Sequence, residues 1–145
     1  MRFLYLTLFF LGLIPWQAAQ AEQEIRLDGE WKLVGMIYRG EEVPPLNPLL
    51  NLRWTFFANG TERLYWDRQG ENGFCERFAN YNILDGQIHE TVFAINPLNN
   101  FECAQDPDMQ VGRYTVNPIE IKQQKILLHL QLGDEELIYI LKETL

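Results

Sequence analysis

Leu27-Asp28-Gly29-Glu30-Trp31 heads the first long alternating run of the chain, and the fold is read outward from it. From Glu30 to Arg39 the side chains divide between two faces. Trp31, Leu33, Gly35 and Ile37 share one, and Lys32, Val34, Met36 and Tyr38 share the other. A period of two is the signature of a β-strand. Gly35 in mid-strand marks a point where a sheet bends sharply or another backbone comes close.

Upstream of this strand, Met1 to Ala21 reads as a secretory leader. Arg2 lies in a short n-region, an apolar run covers Phe3 to Ile14, Pro15 breaks it, and Ala19-Gln20-Ala21 supplies a small-x-small cleavage signal. Cleavage is expected before Glu22, leaving residues 22–145 as one domain with a real core. The apolar run is well short of the roughly 20 residues of a spanning helix, so no transmembrane segment is expected once the leader is removed. No cysteine follows it to carry a lipid. A secreted or periplasmic protein is the expectation.

Charge and cysteine content narrow the classes further. With 12 basic and 20 acidic residues the chain carries a net charge of −8. That balance argues against nucleic acid and against anionic membrane surfaces, which both reward Lys and Arg. At 47% hydrophobic residues the chain is too apolar for a disordered acidic segment. The two cysteines, Cys75 and Cys103, are expected to form a disulfide in an oxidising compartment. Closing that loop stabilises the fold by roughly 3 to 4 kcal/mol in the chain-entropy model. Two free thiols or a metal site are the alternative, and no histidine neighbours either cysteine.

Downstream, turns and alternation repeat. Gly40 to Leu50 carries Pro44, Pro45 and Pro48, so it reads as a long loop over one end of the sheet rather than a central strand. Asn51 to Ala58 and Thr61 to Arg68 flank Asn59-Gly60, a hairpin signal in which both turn residues take positive φ. Asn59-Gly60-Thr61 is also a glycosylation sequon. Phe74 to Leu84 and Gln87 to Ile95 flank Asp85-Gly86 as a second hairpin. Asn96 to Met109 is a long polar loop around Cys103. Gln110 to Val116, with Pro118 closing it or beginning an edge, then the short Ile119 to Lys122, Lys125 to Leu132 and Glu135 to Glu143 complete about eight strands with no helical period. An all-β antiparallel sheet of that size removes its edges by closing or by folding into two layers.

Gly29-Glu30-Trp31 at the head of the first strand, the proline-bearing loop after it and the consecutive hairpins resemble the lipocalin and fatty-acid-binding (calycin) superfamily, in particular the short lipocalin-like domains of secreted bacterial proteins. The resemblance implies an up-and-down barrel of about eight strands. It implies that Gly29 and Trp31 are structural, Trp31 closing the narrow end, and that a basic residue near the last strand packs on it, here Lys142. It places the open end near the loop Gly40 to Leu50.

The chain contains no serine, which excludes a serine nucleophile, and a bridged cysteine pair excludes Cys-His catalysis. His89 and His129 have no third partner at metal-ligand spacing, so no metal is expected. Asp106-Pro107-Asp108 with Glu102 offers oxygens that read first as turn residues. Asp134-Glu135-Glu136 reads as a solvated hairpin tip. No catalytic residue and no cofactor is expected.

What remains is an aromatic surplus in the strands. Trp54, Phe56, Tyr65, Tyr81, Phe93 and Tyr114, with Arg63 and Arg113 as charged ends, are the candidate ligand-binding residues. An eight-stranded barrel is just wide enough to be filled by side chains or to hold one small ligand. The expected function is binding of a small hydrophobic or amphipathic molecule. The alternative is a protein-interaction module with a filled barrel, using an outer patch around Val34, Met36 and Tyr38.

Overall fold

A computed structural model describes residues 26–144, so the expected leader over Met1 to Ala21 lies outside the described residues. The run beginning at Gly29 forms β1 (Gly29–Tyr38). It is followed by β2 (Glu41–Val43), β3 (Leu50–Phe56), β4 (Thr61–Arg68), β5 (Phe74–Leu84), β6 (Gln87–Ile95), β7 (Tyr114–Lys122), β8 (Lys125–Leu132) and β9 (Glu135–Glu143). Neighbouring strands pair antiparallel, and β1 bonds β9 as well as β3. That last pairing closes an eight-stranded up-and-down barrel, with β2 as a short extra strand against the end of β1.

The all-β expectation holds, and the departures from it have local causes. In β1 the register with β9 shifts between Leu33 and Gly35, a β-bulge that puts Val34 and Gly35 on the outer side together. Beyond a bulge every side chain changes face. Met36, 3% exposed, therefore turns inward with Tyr38, while Ile37 turns outward beside Ile138. Val34, Met36 and Tyr38 do not form one outer patch. Gly35 serves the close approach expected of it: a Cβ there would lie 3.4 Å from the Val43 carbonyl oxygen and 3.6 Å from Ile140 Cδ1.

The turn at Asn59-Gly60 also differs from the two-residue form. Only Gly60 takes positive φ, and Asn59 Oδ1 accepts from the Thr61 backbone N–H at 3.1 Å and its hydroxyl at 2.7 Å. Asp85 and Gly86 both take positive φ, as an Asp-Gly two-residue turn requires. The strand expected to end near Pro118 instead runs through it. Pro118 sits where β7 changes partner, pairing with β6 up to that residue and with β8 from Ile119 onward, so its missing N–H interrupts no ladder. The long loop after β6 is built from two 3-10 turns, Phe101–Gln105 and Pro107–Met109, capped by the side chains of Asn100 and Asp106. The Cys75–Cys103 disulfide fastens it to β5.

On the outer wall, cross-strand neighbours bring the basic residues into one row. Lys122 lies opposite Lys125, Lys125 opposite Lys142, Lys142 opposite Lys32, and Lys32 opposite Arg53, across β7, β8, β9, β1 and β3. Lys142 is thus exposed among lysines on the outside, not packed on Trp31. Like charges directly opposite each other destabilise a sheet. Lys142→Glu is accordingly expected to raise stability by about 1 kcal/mol, checked by urea unfolding.

Candidate ligand cavity

The barrel interior has two halves with different contents. In the closed half Trp54, Phe56, Ile88, Ile119, Ile126, Leu128 and Leu141 meet with no room for a water molecule between them. Phe56 stacks on Trp54 at 5.6 Å and takes Tyr81 edge-on at 5.0 Å. Trp31, 5% exposed, joins this core and donates from Nε1 to the Leu27 carbonyl at 2.7 Å.

In the open half, the inward positions farther along the same strands leave a cavity of about 430 Å³. Leu50, Leu52, Leu64, Trp66, Val92 and Leu130 give it an apolar wall, Tyr139 adds a hydroxyl-bearing ring, and Arg68, Asp106, Asp108 and Arg113 lie around it as charged groups. Asp108 Oδ1 pairs with Arg113 Nε at 3.3 Å. The strands also part here. The paired register of β7 and β8 ends at Ile119 opposite Leu128, and Asn117 and Leu130, one inward position farther, both line the cavity.

Between the two halves lies a buried ionic set. Glu62 is 0% exposed, Arg77 4% and Glu90 2%. Arg77 donates from Nη1 to Glu62 Oε1 and from Nη2 to Glu90 Oε1, the latter at 3.4 Å. Trp54 Nε1 donates to Glu62 Oε2 at 2.5 Å, the Thr115 hydroxyl donates to Glu90 Oε2 at 3.4 Å, and the guanidinium lies 5.7 Å from the Trp54 ring centroid. Two carboxylates face one guanidinium, so the set is neutral only when it holds a proton.

The direction of each carboxyl shift follows. Burial pushes Glu62 up to about 8 against the pull of Arg77, and the Glu90 charge adds to the rise. Burial also raises Glu90, again opposed by Arg77. The folded state therefore keeps a proton that the unfolded chain releases near the ordinary value of 4.5. Stability from this group is fully present below about 4.5 and is lost as pH rises toward about 8. Glu62→Gln, which fixes the uncharged form, is expected to flatten that decline in urea midpoints measured across the window.

Of the candidate ligand-binding residues, Trp54 and Arg113 line the cavity. Phe56 and Tyr81 belong to the closed-end core. The other four stand on the outer wall. Arg63 Nε pairs with Glu76 Oε1 at 2.5 Å, Tyr65 bonds Asp67 and stacks on Phe74, Phe93 is 48% exposed, and Tyr114, 60% exposed, bonds His89 Nδ1. Both faces of these strands are half apolar, so alternation alone does not single out the inner one. His129 lies on the outside between Glu120 and Glu136. Asp106 Oδ1 caps the second 3-10 turn and Asp108 Oδ1 pairs with Arg113, and both residues remain at the cavity.

The residues that sequence reading passed over are Glu62, Leu64, Arg77, Val92 and Leu130, while Trp66 belongs to the aromatic surplus of the strands and does line the cavity. A signal for part of the set exists in the sequence: Glu62 falls in phase with Leu64 and Trp66, and Arg77 with Ala79 and Ile83.

No model of a known protein family matches the chain, and no curated protein matches its sequence. Solved structures do resemble it. A lipocalin-like protein from Bacteroides uniformis superposes with a TM-score of 0.55 at 16% identity, over 81% of this chain and 98% of that one. An uncharacterized protein from Bacteroides eggerthii gives a TM-score of 0.52, also at 16% identity and with the same coverage of 81% and 98%. Strand order, closure through β1 and β9, and these likenesses together make the fold of this protein lipocalin-like.

Proposed function

We propose that the protein binds a small amphipathic molecule in the open half of its barrel, outside the cytoplasm, and carries out no chemistry on it. The observation that carries this reading is the cavity of about 430 Å³, with an apolar wall and charged groups around it. Ligand sites of this kind are mostly apolar with a few polar groups that fix orientation. An apolar tail would lie against Leu52, Leu64, Val92 and Leu130, and a polar end would meet Arg68, Arg113, Asp106 and Asp108. Arg77 in the floor is already held by both Glu62 and Glu90, so the polar end belongs at the charged groups outside it.

The reading as a binder rather than an enzyme rests on the absence of serine and on how the reactive groups are engaged. The cysteines are joined to each other, and the buried carboxylates are held by Arg77, Trp54 and Thr115. The disulfide suits an oxidising compartment, and among the described residues no helix is long and apolar enough to cross a membrane. The interaction-module reading loses the patch it would have used, because Met36 faces inward.

Native purification followed by solvent extraction and mass spectrometry tests the proposal. A stoichiometric small amphiphile is the expected result. A protein that carries none and takes none up from an added lipid mixture would refute it.

A further inference from the structure

We propose that the outer wall of β8, β9 and β1 docks on the surface of an anionic phospholipid bilayer. All four lysines of the chain, Lys32, Lys122, Lys125 and Lys142, lie in the single cross-strand row that continues into Arg53. Lys122 is paired with Glu120, and Arg53 lies 3.4 Å from Glu30. Lys125, Lys142 and Lys32 occupy three consecutive strands and, among the described residues, have no carboxylate within ion-pair distance. Adjacent strands stand about 4.8 Å apart, so the three ammonium groups repel one another in the free protein. A chain with 20 acidic residues had ample means to interleave them. An anionic surface relieves the repulsion, which supplies the charge complementarity.

Two further features favour a bilayer over an acidic polypeptide. Apolar side chains sit beside the lysines on the same wall: Val34, 44% exposed, and the half-buried Leu127 and Ile138. A lipid interface offers phosphate charge and apolar depth together, which suits such a mixture. Glu120 and Glu30 lie on the same wall but are taken up by Lys122 and Arg53, and Glu143 follows Lys142 at the strand end. Asp134, Glu135 and Glu136 stand at the opposite end of β9 from Lys142, roughly 20 Å away at strand rise. That exceeds the screening length of about 8 Å at physiological salt, so this acidic turn does not set the potential at the lysines.

The test is co-sedimentation of the leader-free chain with vesicles of phosphatidylcholine alone and of phosphatidylcholine mixed with phosphatidylglycerol. Binding is expected only to the mixed vesicles, weakening as salt is added. Lys32→Gln, Lys125→Gln and Lys142→Gln combined are expected to lower the partition coefficient roughly a hundredfold. The combined Lys→Arg changes should keep it, and Arg26→Gln with Arg39→Gln, removing cations elsewhere, should leave it within about twofold. The glutamine variant is expected to unfold in urea no earlier than the parent, so lost binding cannot be ascribed to lost folding. Equal binding to both vesicle types, binding retained by the glutamine variant, or binding to polyglutamate without binding to vesicles would each overturn the proposal. None of these results bears on the cavity, whose ligand is tested separately by extraction.

Discussion

Arg77→Leu is expected to lower the folding free energy by about 3–5 kcal/mol, the cost of leaving buried charge without its partner. Arg77 is the only cation bonded to Glu62 and to Glu90 among the described residues, and neither carboxylate has more than 2% of its surface exposed. Leucine fills part of the guanidinium's volume but supplies no donor. Two features separate this from an ordinary packing defect. The loss should shrink on acidification, because both carboxyls then take up protons. Glu62→Gln and Glu90→Gln added to Arg77→Leu should recover much of the stability, since replacing a whole buried ionic set is often neutral. Urea unfolding at two pH values reads both effects.

Cys75→Ala with Cys103→Ala is expected to cost about 3–4 kcal/mol, from the loop closed by a sequence separation of 28. The consequence reaches the cavity. Cys103 is the buried residue of the first 3-10 turn, and the loop it anchors carries Asp106, Asp108 and Arg113 to the cavity. Polar contacts hold the base of the same loop: Asn99 Oδ1 accepts from the Glu76 N–H at 2.8 Å, and the Asn100 N–H donates to the Phe74 carbonyl at 2.9 Å. The variant is therefore expected to keep the β5 end of the loop in place and to release ligand faster than the parent. Denaturation curves measure the first effect and dissociation rates the second.

Much of the architecture was legible in the residues. The run of hairpin strands, the Asp85-Gly86 turn, the cysteine pair and the Trp31 strand follow from alternation and turn chemistry, whereas the start of β7 at Tyr114 and the short β2 inside the proline loop do not. Two further things were not legible. The mid-strand glycine marks the place of the bulge at Val34 and Gly35 but not the change of face, because an apolar residue follows on either reading; only pairing with β9 reveals it. The second was the inner side of β4, β6 and β7. Arg63 and Tyr65 alternate with Leu64 and Trp66, and aromatic content alone favoured the wall that proved to be outside. Aromatic content also drew attention to Phe93 and Tyr114, both exposed. The buried charges were hidden for the opposite reason: Glu62 and Arg77 look like surface residues until register sets them opposite Ala79 and Leu64, inside the barrel. Net charge likewise hides the lysines, which average out in a total and stand together in a sheet.

The most direct test of the account is a titration of the ligand-free protein with a single-chain amphiphile, followed by tryptophan fluorescence, in the parent and in Leu130→Trp. Trp54 and Trp66 line the cavity and report its occupancy, while an added indole at position 130 takes up the space. The parent is expected to give a saturable change at one ligand per chain, and Leu130→Trp, with a folding free energy within about 1 kcal/mol of the parent's by urea unfolding, to give none. No saturable change in the parent, or equal binding by the filled variant, would contradict a ligand site in the open half of the barrel.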